Sequence, residues 1–215
     1  MRIIECEQYS DPWWEARRGV PTASNFDKLL TAKTQKLSAQ AIGYAHQLVG
    51  EKYDLSYGQH EDTATAAMRT GTILEPQIRR LFEMERDMDV EQVGFCLTDD
   101  GRFGSSPDSL IGDDGVLEIK SPMAKTQVGY LMAGDLPPEY ACQCHGHLIV
   151  TGRAYCEFIS YTPGLPYLLV RVEPNEFTSK LRDALEEFWK IYLQVAARIA
   201  ECDAIAKRPT VESPF

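Results

Sequence analysis

The chain has 215 residues, of which 44% are hydrophobic, a composition that is ordinary for a globular protein and a length that suits one domain. Its formal net charge of −10 argues against a non-specific coat on DNA, although a local basic track remains compatible with it. Because no apolar run is long enough for a membrane span and the N-terminus lacks the apolar core of a signal peptide, we expect a cytosolic protein with six free cysteines and no membrane partner.

Helical patterns dominate the first ninety residues. We predict helices over 11–19, from Thr22 or Ser24 to Leu30, over 38–53 and over 62–88. In the last of these, Gly71 and Pro76 are expected to interrupt the helix. Its inward-facing residues are predicted to be Ile73, Ile78, Leu81 and Phe82.

Strands and helices alternate in the rest of the chain. Strands over 90–97 and 102–105 flank an Asp-Asp-Gly turn, and a second hairpin joins 154–161 to 167–172 through Pro163-Gly164. Helices are predicted over 125–133, 137–150 and 175–202, and the tail from about 203 is expected to be flexible. This order predicts an α/β fold, with a central mixed β-sheet flanked by helices.

The stretch between 104 and 124 is the candidate for chemistry. The run Gly112-Asp113-Asp114-Gly115 favours a tight turn, and folding back there would bring Asp108 close to Glu118. Because alternate side chains of a strand share a face, Glu118 and Lys120 would point the same way while their apolar neighbours point into a core. Two carboxylates and an ammonium would then converge on one spot.

This combination suits phosphodiester hydrolysis. Asp108 and Glu118 would hold Mg²⁺, a hard cation that takes oxygen ligands, and the metal would polarise a phosphate and lower the pKa of a bound water. Lys120 would orient that water or help to deprotonate it, and offset charge in the transition state. On these three residues alone, a solvated hairpin with ordinary surface charges remains the alternative.

A zinc site is a further alternative for the run that contains Cys142, Cys144, His145 and His147. These residues fall within one predicted helix, where they point in different directions. Their spacing also lacks a matching second half. We therefore predict no zinc site there.

The motifs SPD at 106–108 and LEIKSP at 117–122 resemble the core of the PD-(D/E)xK nucleases. The chain more specifically resembles the lambda-type phage exonucleases, recombination nucleases that degrade the 5′ strand of duplex DNA. WWEARRGVPTAS at 13–24, GTILEP at 71–76 and YACQCHGHLIVTG at 140–152 match the same family in order. The resemblance implies a restriction-endonuclease-like core and a single nuclease domain over 1–215.

The resemblance also assigns roles at the centre of the site. Asp108 and Glu118 would be metal ligands, together with the backbone carbonyl of Ile119. Lys120 would be the water-activating lysine. Glu75 matches a helix-borne carboxylate near the metal, which it would contact through water; without the resemblance, an exposed helix glutamate would be the simpler interpretation.

Other matched positions concern the DNA end. The residues that match a pocket for the 5′-terminal phosphate are Arg17, Ser24, Ser106 and Gln143. Guanidinium, hydroxyl and amide groups are suitable phosphate donors. For Arg17 a surface charge and for Ser24 a helix cap remain alternatives, and Arg18 would take the role of Arg17 if the register slipped by one. Met68 matches an apolar wedge between the strands, and equally suits an ordinary methionine. The loop at 33–36 matches poorly, so the resemblance assigns no further phosphate-binding cation there.

The function that the resemblance implies is a 5′-to-3′ exonuclease on double-stranded DNA ends that carry a 5′-phosphate. It would depend on Mg²⁺, with Mn²⁺ as a substitute, release mononucleotides and leave 3′ overhangs for a single-strand annealing protein. The resemblance further implies a homotrimeric ring that encloses the DNA. The expected location is the cytoplasm, which is that of a bacterial host if a phage or prophage encodes the protein. The alternatives are an endonuclease with the same core, which would need no terminal-phosphate pocket, and a non-catalytic DNA-binding protein.

Overall fold

The computed structural model describes residues 1–30, 36–58 and 66–206, without the side chains of 66–72 and 203–206. Its α-helices are α1 (Asp11–Arg17), α2 (Ala41–Glu51), α3 (Ala66–Arg86), α4 (Ala124–Ala133), α5 (Pro138–Thr151) and α6 (Glu176–Ala206), and a 3-10 helix spans Ala23–Lys28. Its strands are β1 (Arg2–Ile4), β2 (Val90–Glu91), β3 (Phe95–Leu97), β4 (Gly104–Ser105), β5 (Ser109–Ile111), β6 (Gly115–Lys120), β7 (Tyr155–Ser160) and β8 (Leu168–Val172). In this part of the chain, no helix is long and apolar enough to cross a membrane.

The strands form two sheets. A five-stranded sheet has the order β2-β5-β6-β7-β8, and within it β6 and β7 are parallel while the other neighbours are antiparallel. A three-stranded antiparallel sheet has the order β1-β3-β4. The larger sheet is therefore mixed and lies between helices, which confirms the predicted fold class.

Strand β6 is covered on both faces. Leu117 and Ile119 pack with Ile78 and Phe82 of α3 in one apolar cluster. Val116 belongs to a separate cluster with residues of α2, α5 and α6. Because side chains alternate along a strand, β6 turns Glu118 towards the α5 side, away from α3.

Helix α3 differs from the prediction, because it runs without interruption past Gly71 and through Pro76. Proline removes one helical hydrogen bond, but packing of the apolar face against the sheet holds the helix together. The expected inward position of Ile73 is also wrong: that side chain is 69% exposed, and Leu74 packs against the cluster instead. Residues 74 and 78 share a helix face at their spacing of four, whereas 73 and 78 do not.

Other boundaries also moved. The predicted strand over 90–97 is two strands in different sheets: β2 pairs with β5, and β3 pairs with β1 and β4. The helix predicted to start at Thr22 or Ser24 is the 3-10 helix, and α6 continues to Ala206. Residues 207–215 of the predicted tail lie outside the described residues. All six cysteines are free thiols, as expected.

Candidate active site

The hairpin of β5 and β6 builds the centre of the site. In the hairpin register, Ser109 lies opposite Leu117, and the Asp108 N–H donates to the Leu117 carbonyl at 3.1 Å. The Asp108 carboxylate accepts from the Ile119 N–H at 2.5 Å. Backbone pairing therefore holds Asp108 beside the strand that carries Glu118, as the predicted turn required.

Glu118 is the hub of this centre. It is only 1% exposed, and its Oε1 pairs with the Lys120 ammonium and accepts from the Gln143 amide at 2.6 Å. Its Oε2 lies 2.8 Å from His147 Nε2. Burial acts to raise the pKa of Glu118, but the charge of Lys120 and the hydrogen bond from His147 outweigh it and lower the pKa to about 2. Glu118 is therefore ionised.

His147 is a member of the site that the sequence did not identify. Because a carboxylate only accepts, Nε2 carries the proton in the bond to Glu118, and in neutral imidazole Nδ1 then accepts from Ser105 Oγ at 2.5 Å. Gln143 and His147 are four residues apart on α5, so one helix face supplies both contacts to Glu118. That spacing was the available signal.

Asp108 and Lys120 respond to the crowding around Glu118. Burial and then the charge of Glu118 raise the pKa of Asp108 well above its ordinary value. Burial acts to lower the pKa of Lys120, but the charges of Glu118 and Asp108 outweigh burial and raise it, so Lys120 is an ammonium.

The donor set fits a hard divalent cation. Two adjacent carboxylates repel each other, and a cation between them would relieve that repulsion. Among the described residues, no group of three His, Cys, Asp or Glu side chains could hold a metal, so Glu75 does not complete a three-carboxylate cage. Mg²⁺ needs no such cage, because it is usually bound by one or two carboxylates together with waters and substrate phosphates.

Arg79 is a second residue that the sequence did not identify. Its Nη2 pairs with Glu75 Oε1 at 2.5 Å and lies 3.3 Å from the backbone oxygen of Asp108, and its Nε donates to Ser109 Oγ at 2.9 Å. Glu75 thus lies on α3 beside the hairpin, held by a guanidinium that also contacts the backbone of Asp108. The spacing of four between Glu75 and Arg79 was the available signal.

Arg17 lies against Ser106. Its Nη1 donates to Ser106 Oγ at 3.3 Å and its Nη2 to Thr22 Oγ1 at 3.4 Å. The guanidinium carbon is 4.2 Å from the centroid of the Trp13 ring, a cation–π contact, and Trp13 Nε1 also donates to Ser106 Oγ at 3.0 Å. Ser24 is exposed, and its hydroxyl lies 3.3 Å from that of Thr22. The structure thus connects Arg17 directly to Ser106 and, through Thr22, to Ser24, whereas Gln143 contacts Glu118.

Arg17 also borders an open space. A cavity of about 200 Å³ is lined by Arg17, Trp14, Val20, Thr22, Asn25, Tyr44, Gln47, Leu48, Glu51 and Tyr57. Arg18 points elsewhere: its Nη1 donates to the backbone oxygens of Glu51 and Asp54 at 3.0 and 2.9 Å. The register therefore places Arg17, not Arg18, beside Ser106.

The structure describes the other positions that the sequence singled out only in part. The side chain of Met68 and all of Lys33 lie outside the described residues, and Lys36 is exposed. Cys142 Sγ donates to the Leu30 carbonyl at 3.1 Å, while His145 Nδ1 lies 2.8 Å from Thr178 Oγ1. The cysteines and histidines of α5 therefore face different neighbours.

Comparison with known proteins gives consistent findings. Residues 12–154 match the model of the YqaJ-like viral recombinase domain. The alkaline exonuclease LHK-Exo from Laribacter hongkongensis is 29% identical with a TM-score of 0.71, over 90% of this chain and 100% of that chain. Its complex with dAMP gives 28% identity and a TM-score of 0.78, over 92% and 100%. A search of curated proteins found no match.

A phage-related exonuclease from Haemophilus somnus 129PT shares the fold, at 13% identity and a TM-score of 0.61 over 84% of this chain and 96% of that chain. Together with the matches above, it fits the PD-(D/E)xK-type architecture predicted from SPD and LEIKSP. The resemblance to the lambda-type phage exonucleases is therefore confirmed.

Proposed function

Because the chain belongs to the YqaJ-like viral recombinase family, and is therefore a metal-dependent nuclease that acts on DNA in recombination, we propose that it is a Mg²⁺-dependent 5′-to-3′ exonuclease on double-stranded ends. It releases mononucleotides and leaves 3′ single-stranded overhangs. The observation that carries this proposal is the position of Asp108 beside Glu118 and Lys120: the Asp108 carboxylate accepts from the Ile119 N–H, between those two residues, and Lys120 pairs with Glu118. Ser106, two residues before Asp108, contacts Arg17.

In this proposal, Asp108, Glu118 and the backbone carbonyl of Ile119 hold Mg²⁺, for which Mn²⁺ can substitute, and Glu75 contributes through water. When bound, the metal polarises the scissile phosphate and lowers the pKa of a water molecule. The hydrogen bonds that Glu118 receives from Gln143 and His147 fix the direction of its oxygens.

Lys120 acts as an ammonium. Its contact with Glu118 keeps it at the reacting centre, where it orients the attacking water and offsets the negative charge that develops on the phosphate. Replacing Asp108 or Lys120 by alanine should abolish cleavage. Undiminished activity of either variant would show that the assignment is wrong.

Arg17, Ser24, Ser106 and Gln143 bind the 5′-terminal phosphate and so select the end. The proposed test is Arg17→Ala, which should erase most of the preference for a 5′-phosphate over a 5′-hydroxyl. Arg18→Ala is the matched control, because Arg18 contacts backbone carbonyls instead of Ser106. An equal preference before and after Arg17→Ala would remove Arg17 from the pocket.

The decisive experiment is digestion of end-labelled linear duplex with Mg²⁺, compared with nicked and sealed circular DNA. The proposal predicts loss of label from the 5′ end, mononucleotide products and no attack on sealed circles. Cleavage of sealed circles would instead favour the endonuclease alternative.

We also propose that residues 1–215 form one nuclease domain that assembles as a homotrimeric ring and acts in the cytoplasm with a single-strand annealing protein. A ring reconciles DNA binding with a net charge of −10, because the acidic surface faces outward and enclosure retains the DNA. Light scattering tests the assembly, and a clean monomer would contradict the ring.

A further inference from the structure

Tyr9 has a backbone conformation that tyrosine rarely adopts. Its φ is +69°, and it is the third residue of a turn in which the Ser10 N–H donates to the Glu7 carbonyl at 3.2 Å. A positive φ at the third position of a turn is normally supplied by glycine, because a β-carbon is crowded there. A tyrosine in this position therefore holds strain, which is a reason to look for a function.

Burial of the side chain does not explain the strain, because Tyr9 is 61% exposed. Its ring rests against Trp13, with centroids 5.0 Å apart and planes tilted by 43°. Trp13 in turn contacts Arg17 and Ser106. Tyr9 is thus the outer member of an aromatic pair that adjoins the proposed phosphate pocket.

The turn is also tied to the segment that carries the metal ligands. Gln8, the residue before Tyr9, donates to the backbone oxygens of Val93 and Pro107 at 2.9 and 3.1 Å. Pro107 directly precedes Asp108. These two bonds fix the base of the turn, so the strained backbone presents the ring at a defined position.

The electrostatic surroundings agree with this location. Partial burial and the charges of Asp108 and Glu75 raise the pKa of Tyr9, while the charges of Lys120 and Arg17 act in the opposite direction. The phenol therefore lies within electrostatic reach of both the proposed cutting centre and the proposed phosphate pocket.

We propose that Tyr9 is a positioning residue whose exposed ring stacks on the base of the 5′-terminal nucleotide. An exonuclease must accept every base, and stacking on an aromatic ring is tolerant of sequence because every base has a π-face. A stacked base would hold the terminal nucleotide between the pocket at Arg17 and the carboxylates. This inference rests on the proposed function, since it needs a DNA end at this site.

The test compares Tyr9→Gly and Tyr9→Asn, which suit the turn but lack the ring, with Tyr9→Phe, which keeps the ring. Each is assayed on 5′-phosphorylated duplex with a normal or an abasic 5′-terminal residue. We expect Tyr9→Gly and Tyr9→Asn to raise KM roughly tenfold on the normal end, as the loss of one stacking contact predicts. On the abasic end, the KM of Tyr9→Gly and Tyr9→Asn should equal that of the wild type. The KM of Tyr9→Phe should resemble that of the wild type on both kinds of end.

A binding measurement independent of cleavage completes the test. The duplex carries 2-aminopurine at its 5′ end, and Ca²⁺ replaces Mg²⁺ so that binding is measured without cleavage. The wild type and Tyr9→Phe should quench the 2-aminopurine fluorescence, and Tyr9→Gly should not. The melting temperature of Tyr9→Gly should not fall, because glycine relieves the strained φ.

An unchanged KM for Tyr9→Gly, or an equal rise on both ends, would overturn the stacking role while leaving the exonuclease proposal intact. Failure of the wild type to degrade the normal duplex from its 5′ end would instead remove the proposed function, and the role of Tyr9 with it.

Discussion

Arg79→Ala is expected to destabilise the protein, because Arg79 joins α3 to the active-site hairpin. Its guanidinium contacts the Glu75 carboxylate, Ser109 Oγ and the Asp108 backbone oxygen. In the amide orientation that satisfies both its oxygen and its nitrogen, the Gln92 side-chain oxygen also accepts from Arg79 Nη2 at 3.0 Å and from Nη1 at 3.2 Å. Arg79 is only 9% exposed, so alanine would leave these partners where water reaches them poorly.

The magnitude follows from the burial of the pair. Exposed ion pairs are worth about 0.2–1 kcal/mol, whereas removing one partner of a fully buried pair costs about 3–5 kcal/mol. The side chains of Arg79 and Glu75 are 11% and 26% exposed, so their pair lies between these limits, at about 2 kcal/mol. The bond to Ser109 adds about 1 kcal/mol. The total of about 3 kcal/mol corresponds to a fall in melting temperature of roughly 6–12 °C for a chain of this size.

Urea unfolding of Arg79→Ala, Glu75→Ala and the double variant measures this effect. The cycle isolates the coupling between the two side chains, which we expect at about 2 kcal/mol. Arg80→Ala is the matched control, because Arg80 is the next residue on the same helix and is exposed. A coupling below about 0.5 kcal/mol, or equal stability of the Arg79→Ala and Arg80→Ala variants, would refute the reasoning.

The same contacts predict a kinetic effect. Arg79→Lys keeps the charge but replaces a fork of donors by one ammonium, which cannot hold Glu75 and the Asp108 backbone together. We expect it to retain more stability than Arg79→Ala while kcat falls on the order of 100-fold, since small misplacements of reacting groups have effects of that size. Wild-type kcat in a stable Arg79→Lys variant would show that Arg79 has no positioning role.

Two further predictions concern single contacts. If the Gln143 amide orients Glu118, Gln143→Leu should raise the Mg²⁺ concentration needed for half-maximal activity. If the amide binds the end phosphate, the same change should alter the preference for a 5′-phosphate. Activity measured against Mg²⁺ concentration, on ends with and without a 5′-phosphate, separates these roles. Arg102 pairs with Asp100 and Glu186. Partial burial acts to raise the pKa of Asp100, but hydrogen bonds from Thr98 and Arg102 outweigh burial and lower that pKa to about 2. A carboxyl group whose pKa is lower in the folded state stabilises the fold at pH values above its unfolded pKa. Arg102→Gln should therefore lower the free energy of unfolding by less than about 1 kcal/mol at pH 7, because the pair is partly exposed. In urea melts, the difference in stability from the wild type should shrink as the pH falls from about 4 to about 2.

Sequence predicted the fold best where the signal was local. The turns that contain Asp100-Gly101 and Gly112 to Gly115 identified the β3–β4 and β5–β6 hairpins, because these residues favour turns regardless of what packs on them. The continuity of α3 through Pro76 was not predictable, since it depends on packing against the sheet. Gly94 lies in the break between β2 and β3, where a β-carbon would collide with the Cys6 carbonyl of a distant segment, a contact that local sequence does not reveal.

The site divides in the same way. Asp108, Glu118 and Lys120 lie on one hairpin, so their meeting followed from a turn and the alternation of a strand. Arg79 and His147 reach the same centre from α3 and α5, on opposite faces of the sheet, and this depends on the order and packing of elements far apart in the chain. Helical spacing places Arg79 on the same face as Glu75 and His147 on the same face as Gln143. It does not indicate that Arg79 would reach the Asp108 backbone or that His147 would reach the Glu118 carboxylate.

The segment from β4 to β5 connects Ser106, a residue of the proposed phosphate pocket, to Asp108, a proposed metal ligand. Strand β4 belongs to the smaller sheet and β5 to the larger one, so 106–108 bridge the two. Ser106 contacts Arg17, and Asp108 contacts the Ile119 N–H. Two residues of chain span at most about 7 Å between their Cα atoms, so Ser106 and Asp108 lie close together. If Ser106 holds the terminal phosphate, as we propose, this spacing would bring the next phosphate near Asp108, which agrees with the proposed release of single nucleotides.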